Sequence, residues 1–172
     1  MAIEPITWSL FQRGLALVNS IHFVSWWAQL GLISSDGILP IKQQLQFYRD
    51  TANPWPKQVW LQQPTIFWLA NSDAFLKGFY FSGTLLSILL LVSPASTSAW
   101  WIVYGLSLSQ MHVSGMFLLQ PDAMIVELNF LCALLAPVGD HSSVAMWTVR
   151  WFLFRFMLAN GLVKIFGSAR WR

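Results

Sequence analysis

The sequence has 172 residues, of which 56% are hydrophobic and only 10% are charged. A soluble domain carries about 25% charged residues, and a core of this size cannot hide so much apolar surface. These proportions exclude an ordinary soluble domain and predict an integral membrane protein. The ten lysines and arginines give a net charge of +3 without forming a basic run, so no nucleic acid is expected among the partners.

Five apolar segments predict membrane helices, because a helix needs about 20 mostly apolar residues to cross the hydrocarbon layer. In chain order, the predicted spans cover residues 11–33, 74–92, 98–119, 121–137 and 144–166. The fourth is the shortest, so the expected fold is all-α, a transmembrane bundle of four to five helices in one domain over residues 1–172. The first span is expected to be retained, because Glu4 and Pro5 precede it and no basic run does.

The segment 34–73 is too polar and too rich in proline to cross a membrane, so it is predicted to be an interfacial loop. Residues 41–49 within it predict a short amphipathic helix, with Leu45, Phe47 and Tyr48 towards lipid. With five crossings, this loop and the end of the chain lie on the same side of the membrane. Both are basic, and the positive-inside rule then places them in the cytoplasm.

Three ionisable residues fall inside the predicted spans: Glu127 in the fourth, and Arg150 and Arg155 in the fifth. Charges at membrane depth are costly and are normally paired. We therefore predict a structural polar pair, in which Glu127 binds one of the two arginines and the buried pair sets the register of the two helices. Proton or ion conduction is disfavoured, because no second acid continues a relay.

The first span carries a polar stripe made of Asn19, His22, Ser25 and Gln29, which share one helical face. Such a stripe usually faces another helix. For His22, and for His112 in the third span, two interpretations stay open: an interhelical hydrogen bond, or an axial ligand to a tetrapyrrole such as chlorophyll. Neither histidine has a second ligand one turn away, so no metal site is predicted. Asp122 is expected to be a first-turn acid at the membrane interface.

Sequence motifs for catalysis are absent: there is no GxSxG, no HExxH, no CxxC and no phosphate-binding glycine loop. We therefore predict no catalytic residues and no enzyme. Two pairs of small residues, Gly78 with Ser82 and Gly105 with Ser109, predict close contacts between helices.

Five stretches of the chain together resemble one known family, the lipase maturation factors. They are Arg13–Val18, Ser35–Pro40, Pro64–Leu69 with Asp73, the Gln120/Asp122/Glu127 group leading to Leu134–Pro137, and Arg150–Arg155 through Gly161–Lys164 to Trp171–Arg172. The resemblance implies a multi-span membrane domain. In animals the family acts in the endoplasmic reticulum, where it helps lipases to fold and assemble, and no catalytic residues come with the likeness.

Two departures from the family pattern are visible. Pro121 stands where the family has a tryptophan before the aspartate. The chain also ends where the family continues into a large C-terminal domain associated with client binding, so the resemblance implies the fold more directly than lipase maturation.

Three hypotheses for function follow. The first is a non-enzymatic scaffold, assembly or stabilising factor for another membrane protein. The second is a small accessory subunit of a larger photosynthetic or respiratory membrane complex, in contact with lipid or chlorophyll. The third is an intramembrane enzyme or transporter for a lipidic substrate. Other integral membrane proteins and lipids are the expected partners, no cofactor is required by the sequence, and the plasma, thylakoid and endoplasmic reticulum membranes all stay open.

Overall fold

A computed structural model describes residues 5–51, 59–114, 120–137 and 143–167 of the chain. Those residues form helices, turns and loops and no strand, which confirms the all-α class. The α-helices are α1 Pro5–Ala28, α2 Ile41–Thr51, α3 Val59–Gln62, α4 Asp73–Val92, α5 Thr97–Val113, α6 Gln120–Leu135 and α7 Ser143–Phe166. Short 3-10 helices cover Leu30–Leu32 and Ile66–Trp68.

The five long helices lie where apolar segments were predicted, with small shifts at their ends. Helix α1 begins before residue 11 and stops at Ala28, after which the chain turns into a 3-10 helix. Helix α5 ends at Val113, and residues 115–119 of the predicted third span lie outside the described residues, as do residues 52–58 of the interfacial loop. Helix α2 covers the segment predicted to be a short helix.

Helices α1 and α4 run antiparallel and make the most extensive contact in the fold. The two helices approach closely at Gly83, where an added Cβ would lie 2.6 Å from the fully buried ring of Phe23. At the other end of the pair, the Arg13 guanidinium donates to the carbonyl oxygens of Leu91 and Val92, which end α4. The prediction that Gly78 and Gly105 mark close contacts is wrong, because a Cβ at either position meets nothing within 4 Å.

Helices α5 and α6 form the second large contact, and α5 also packs on α4. A short turn joins α4 to α5, and the indole Nε1 of the buried Trp100 donates to the Pro94 carbonyl oxygen at 2.7 Å across it. On the outer side, the rings of Trp101, Tyr104 and Phe130 contact one another, with centroids 5.4–5.9 Å apart. Helices α1, α4, α5 and α6 together enclose most of the core.

The loop between α1 and α4 folds back on the helix ends. A Cβ at Gly37 would lie 2.5 Å from the Leu32 carbonyl oxygen, so this turn requires glycine. Leu45 of α2 is 5% exposed and belongs to the core, which corrects the prediction that it faces lipid. The reason is that α2 lies against the end of α5 with Ile41, Gln44 and Leu45 inward, and Phe47 outward.

Helix α7 lies at the edge of the fold, and its main contact with another described helix is a small one with α6. Ala145 and Phe152 are its buried residues. Most of its other large apolar side chains are exposed: Val144, Trp147, Trp151, Leu153, Phe154, Met157, Leu158, Leu162, Val163, Ile165 and Phe166.

Among the described residues, one helix, Asp73–Val92, is long and apolar enough to cross a membrane by length and composition. Helices α5 and α6 have 17 and 16 residues, short of the usual 20 or so. Helices α1 and α7 are long enough, but Gln12, Arg13, Asn19 and His22 interrupt the first, and Arg150, Arg155 and Lys164 the second. The five-span prediction is therefore not confirmed by this criterion.

Candidate functional site: polar contacts between the helices

A reciprocal amide pair joins three helices in the core. Asn19 of α1 donates to Asn129 Oδ1 of α6 at 2.7 Å, and Asn129 donates back to Asn19 Oδ1 at 2.9 Å. Asn129 also donates to Ser107 Oγ of α5 at 2.9 Å. Both asparagines are fully buried. A buried polar group without a partner is costly, so this network favours one arrangement of α1, α5 and α6.

A histidine and an aspartate join α1 to α6 one turn further along. The Nδ1 atom of His22 lies 3.3 Å from Asp122 Oδ1, and the two side chains are 9% and 15% exposed. Asp122 is in the first turn of α6, as predicted, but it also pairs with a helix from which the sequence predicted no contact. Of the predicted stripe on α1, Asn19 and His22 face α6, whereas Gln29 donates to Ser25 Oγ at 2.9 Å on the exposed side.

The end of α5 is bound to the loop and to α4 by a second set of polar contacts. His112 Nδ1 lies 2.6 Å from Gln63 Oε1, and the Tyr48 hydroxyl donates to the His112 carbonyl oxygen at 3.2 Å. In the interior, the Tyr80 hydroxyl of α4 donates to Gln110 Oε1. Gln110 Nε2 donates to Ser114 Oγ at 2.9 Å. The contacts of Tyr48 and Gln63 with His112 hold the loop between α1 and α4 on the end of α5.

His22 and His112 therefore lie at different places in the fold, each with one ring nitrogen beside a polar side chain. An imidazole whose Nδ1 is held in this way keeps Nε2 as the atom that would bind a metal. Within the described residues, no group of three or more His, Cys, Asp or Glu side chains is placed to hold a metal ion. The tetrapyrrole interpretation of the two histidines stays a prediction.

Of the three ionisable residues predicted to form a polar pair, the structure brings Glu127 and Arg155 together in an ion pair between α6 and α7. The expectation that this pair is buried is wrong, because the arginine and glutamate side chains are 53% and 40% exposed. The cause is the edge position of α7, which leaves the pair at the side of the bundle. Arg150 instead places its guanidinium over the Trp147 ring, 5.6 Å from the centroid.

Ser35 and Asp73, which both belong to stretches that resemble the family, meet at the beginning of α4. The backbone nitrogen and hydroxyl of Ser35 donate to the two carboxylate oxygens of Asp73, at 2.9 and 2.7 Å. Ser72 caps α4 by accepting from the Phe75 backbone nitrogen. The turn at residues 35–40 and the residue Asp73, which the family pattern singles out, thus position the loop on α4.

Sequence reasoning missed Asn129, Ser107, Tyr80 and Gln110. The signal available was their occurrence in apolar segments, where a polar side chain needs a partner. Asn129 also follows Asp122 at a spacing of seven residues, which puts both on one face of α6. The spacing does not show which helix packs against that face of α6.

Most of the polar side chains described above contact one another. Asp73 also lines a small cavity of about 240 Å³ with Lys77, and Tyr48 lines one of about 420 Å³ with Gln43 and Gln44. A groove of about 510 Å³ lies between α1 and α6 and is lined by apolar residues such as Leu15 and Leu128. The arrangement joins helices, and it offers no nucleophile beside a general base among the contacts described.

The fold and these contacts define an all-α helical domain whose interior polar residues hold helices together. A family model described as the lipase maturation factor transmembrane domain matches residues 6–172, nearly the whole chain. The chain belongs to the lipase maturation factor family, which confirms the resemblance and supports association with a membrane.

Curated relatives agree with the family match. Lipase maturation factor 2 of Rattus norvegicus is 31% identical over 96% of this chain and 26% of that protein. The same protein of Xenopus tropicalis is 32% identical, over 96% of this chain and 26% of its own length. Lipase maturation factor 1 of Bos taurus is 30% identical over 93% of this chain and 31% of that protein. The chain thus spans about a quarter to a third of these relatives, and no solved structure matches it.

Proposed function

We propose that this chain is a multi-span membrane domain without a reaction of its own, acting as a scaffold or assembly factor in the maturation of another membrane or secreted protein. The observation that carries the proposal is the Asn19–Asn129–Ser107 network in a chain matched to a transmembrane domain. Polar side chains that pair with each other stabilise a helix bundle, whereas a reaction would need them to converge where a substrate can bind.

The directions of the helices support several crossings. Arg13 near the start of α1 meets the end of α4, and Ser35 just after α1 meets the start of α4. His112 at the end of α5 contacts the same loop that follows α1. His22, near the end of α1, meets Asp122 at the start of α6. Helices α1, α4, α5 and α6 thus alternate in direction, as consecutive spans do.

Cysteine accessibility in sealed vesicles tests the crossings. Asp36→Cys places a thiol in the exposed loop after α1, and Ala95→Cys places one in the exposed turn after α4. The native Cys132 is fully buried and serves as the background. We expect a membrane-impermeant maleimide to label one of the two variants before detergent and both after it. Equal labelling of both in intact vesicles would contradict a crossing by α4.

The relatives' names point to a lipase as the client. Because the animal members of the family act in the endoplasmic reticulum, we propose that membrane for this chain as well. The test is expression of the full chain in cells that lack their own lipase maturation factors, together with a secreted lipase. We expect a higher lipase activity per molecule secreted than with an empty vector. Glu127→Gln serves as a second arm: unchanged activity there argues against a proton-transferring role for Glu127.

A lipase activity that stays at the empty-vector level, with the chain present in the membrane at the normal amount, would contradict the lipase as client. The importance of helix packing is tested by expressing Gly83→Leu in the same cells and measuring lipase activity. This variant is designed to separate α1 from α4. If both the native chain and Gly83→Leu raise lipase activity equally, the packed bundle is not what acts on the client.

A second candidate is an accessory subunit of a larger membrane complex, with His22 or His112 as a tetrapyrrole ligand. The observation that favours it is the apolar outer surface of α7, a helix whose main contact within the described fold is a small one with α6. Purification in mild detergent tests it. A visible absorption band that co-purifies with the chain and disappears in His22→Leu or His112→Leu supports this candidate, and a colourless chain that elutes alone contradicts it.

A further inference from the structure

The two arginines of α7 lie at different depths along the helix. Helix α7 has 24 residues, so it is about 36 Å long, against a hydrocarbon thickness of about 30 Å. Arg155 lies about 18 Å along the axis from Ser143, at the centre of the helix, and Arg150 lies about 10 Å from the same end. A central arginine cannot reach a membrane surface, whereas Arg150 is within reach of the surface at the N-terminal end of α7.

The contacts of the two arginines follow this difference. Arg155 pairs with Glu127 of the neighbouring helix. Within the described part of the chain, no carboxylate lies within ion-pair distance of Arg150, and its guanidinium is turned back over the Trp147 ring, one turn nearer the N-terminal end. A guanidinium among apolar side chains is costly unless an anion or water meets it.

The surroundings of Arg150 face away from the protein. The buried face of α7 is marked by Ala145 and Phe152, and Arg150 lies on the other side of the helix, between the exposed Trp147 and Phe154. Tryptophan side chains favour the headgroup level of a bilayer. If α7 crosses the membrane, the cation–π contact with Trp147 would hold the Arg150 guanidinium near the level of the lipid phosphates.

We infer that Arg150 and Trp147 form a binding site for the phosphate of an anionic phospholipid at the N-terminal end of α7. The guanidinium donates to phosphate oxygens, and the indole ring packs beside the glycerol and upper acyl carbons. The inference rests on the multi-span membrane domain proposed above and takes α7 as one of its spans. A lipid is favoured over an acidic side chain of a partner helix, because the guanidinium lies over Trp147, one turn nearer the end of α7, and not at the middle of the helix.

The test uses the full chain reconstituted in phosphatidylcholine vesicles with trace spin-labelled phosphatidylglycerol or spin-labelled phosphatidylcholine. The measured quantity is the association constant of each labelled lipid at the protein surface. One cation at a membrane surface changes the association of an anionic lipid about fivefold, so we expect phosphatidylglycerol to be preferred by about that factor. Arg150→Gln should abolish most of the preference, and Arg150→Lys should keep part of it.

Lys77→Gln is the matched control, because it also removes one exposed positive charge, near the start of α4 at the opposite end of the bundle. A preference that falls equally in Arg150→Gln and Lys77→Gln would overturn the site, since total charge would then explain the binding. A preference unchanged in Arg150→Gln would overturn it as well, and would leave an acidic partner helix as the group that meets Arg150.

Failure of the lipid site is distinguishable from failure of the proposed function. If the chain does not float with the vesicles in a density gradient, it is not membrane-inserted, and both proposals are wrong. If the chain inserts and the crossing by α4 is found, but lipid preference does not depend on Arg150, the lipid site alone is wrong.

Discussion

Polar residues find partners differently in two regions of the molecule. One region is the four-helix part, made of α1, α4, α5 and α6, and the other is the edge helix α7. Within the four-helix part, Asn19, Asn129 and Ser107 lie in the interior and bond to each other. On α7, Arg155 pairs at the side of the bundle and Arg150 stacks on a tryptophan facing outward. The comparison teaches that polar residues of helices packed on several sides pair in the interior, whereas on an edge helix one polar residue pairs at the side and another faces outward.

The same comparison explains which residues define the fold. Between α1 and α4, Gly83 allows the Phe23 ring to lie against the backbone, and this close approach has no counterpart at Gly161 of α7, where a Cβ meets nothing within 4 Å. The four-helix part is therefore sensitive to shape, whereas the described contacts that dock α7 on α6 include the Arg155–Glu127 ion pair at the side of the bundle. Each prediction below tests that distinction.

The largest effect is expected for Gly83→Leu. The new side chain would overlap the buried Phe23 ring and push α1 away from α4, which we expect to cost about 3 kcal/mol of the free energy of unfolding. The measurement is reversible unfolding in mixed micelles. Gly78→Leu on the same helix is the control, because its Cβ meets nothing within 4 Å. Equal destabilisation by both variants would show that α1 and α4 do not pack as described.

The next largest effect is expected for Asn129→Leu. This change removes both amide bonds to Asn19 and the bond to Ser107, so we expect a loss of about 2 kcal/mol in the same unfolding measurement. Asn19→Leu and the double variant complete a double-mutant cycle. If the two single losses simply add, the asparagines do not interact and the central contact between α1 and α6 is not as described.

A smaller and local effect is expected for Glu127→Gln. Arg155 would lose its partner, which we expect to weaken the docking of α7 by about 1 kcal/mol, since the pair is half exposed. Hydrogen exchange should speed up in α7 and stay unchanged in α1 and α4. The charge-swapped variant Glu127→Arg with Arg155→Glu should restore protection. Faster exchange throughout the bundle would show that α7 is an integral part of it.

The smallest effect, of opposite sign, is expected for Gln12→Met. Among the residues that the structure describes, the buried Nε2 group of Gln12 has no hydrogen-bond partner, so an apolar side chain of similar shape should stabilise the four-helix part by up to about 1 kcal/mol. Thermal unfolding in detergent measures the change. Gln44→Met is the control, because Gln44 donates to the Leu39 carbonyl oxygen at 3.1 Å and its loss should destabilise. If Gln12→Met lowers the thermal stability instead, the Gln12 amide must form a hydrogen bond in the folded protein, and this explanation is wrong.

Several features of the fold were predictable from the sequence, because they depend on local properties. The apolar runs predict the long helices, and the amphipathic pattern of residues 41–49 predicts α2. The cost of a charge among apolar residues limits the partner of Glu127 to two arginines on the next helix. The structure then selects Arg155, because only that residue lies beside Glu127 on adjacent faces of α6 and α7.

Other features were not predictable, because they depend on which helix faces reach each other. Leu45 was expected in lipid and lies in the core, and Gly83 rather than Gly78 makes the close contact. His22 and Asp122 are a hundred residues apart in the chain, and neither carries a local signal for the other.

Composition and apolar length alone determined that this protein is helical and associated with a membrane, since both follow from how each side chain interacts with its solvent. The tertiary structure decided which polar residues meet, which glycine allows α1 and α4 to approach closely, and which arginine faces outward. Those properties arise from the rotation and crossing of whole helices, and such rotations are set by packing between segments far apart in the chain.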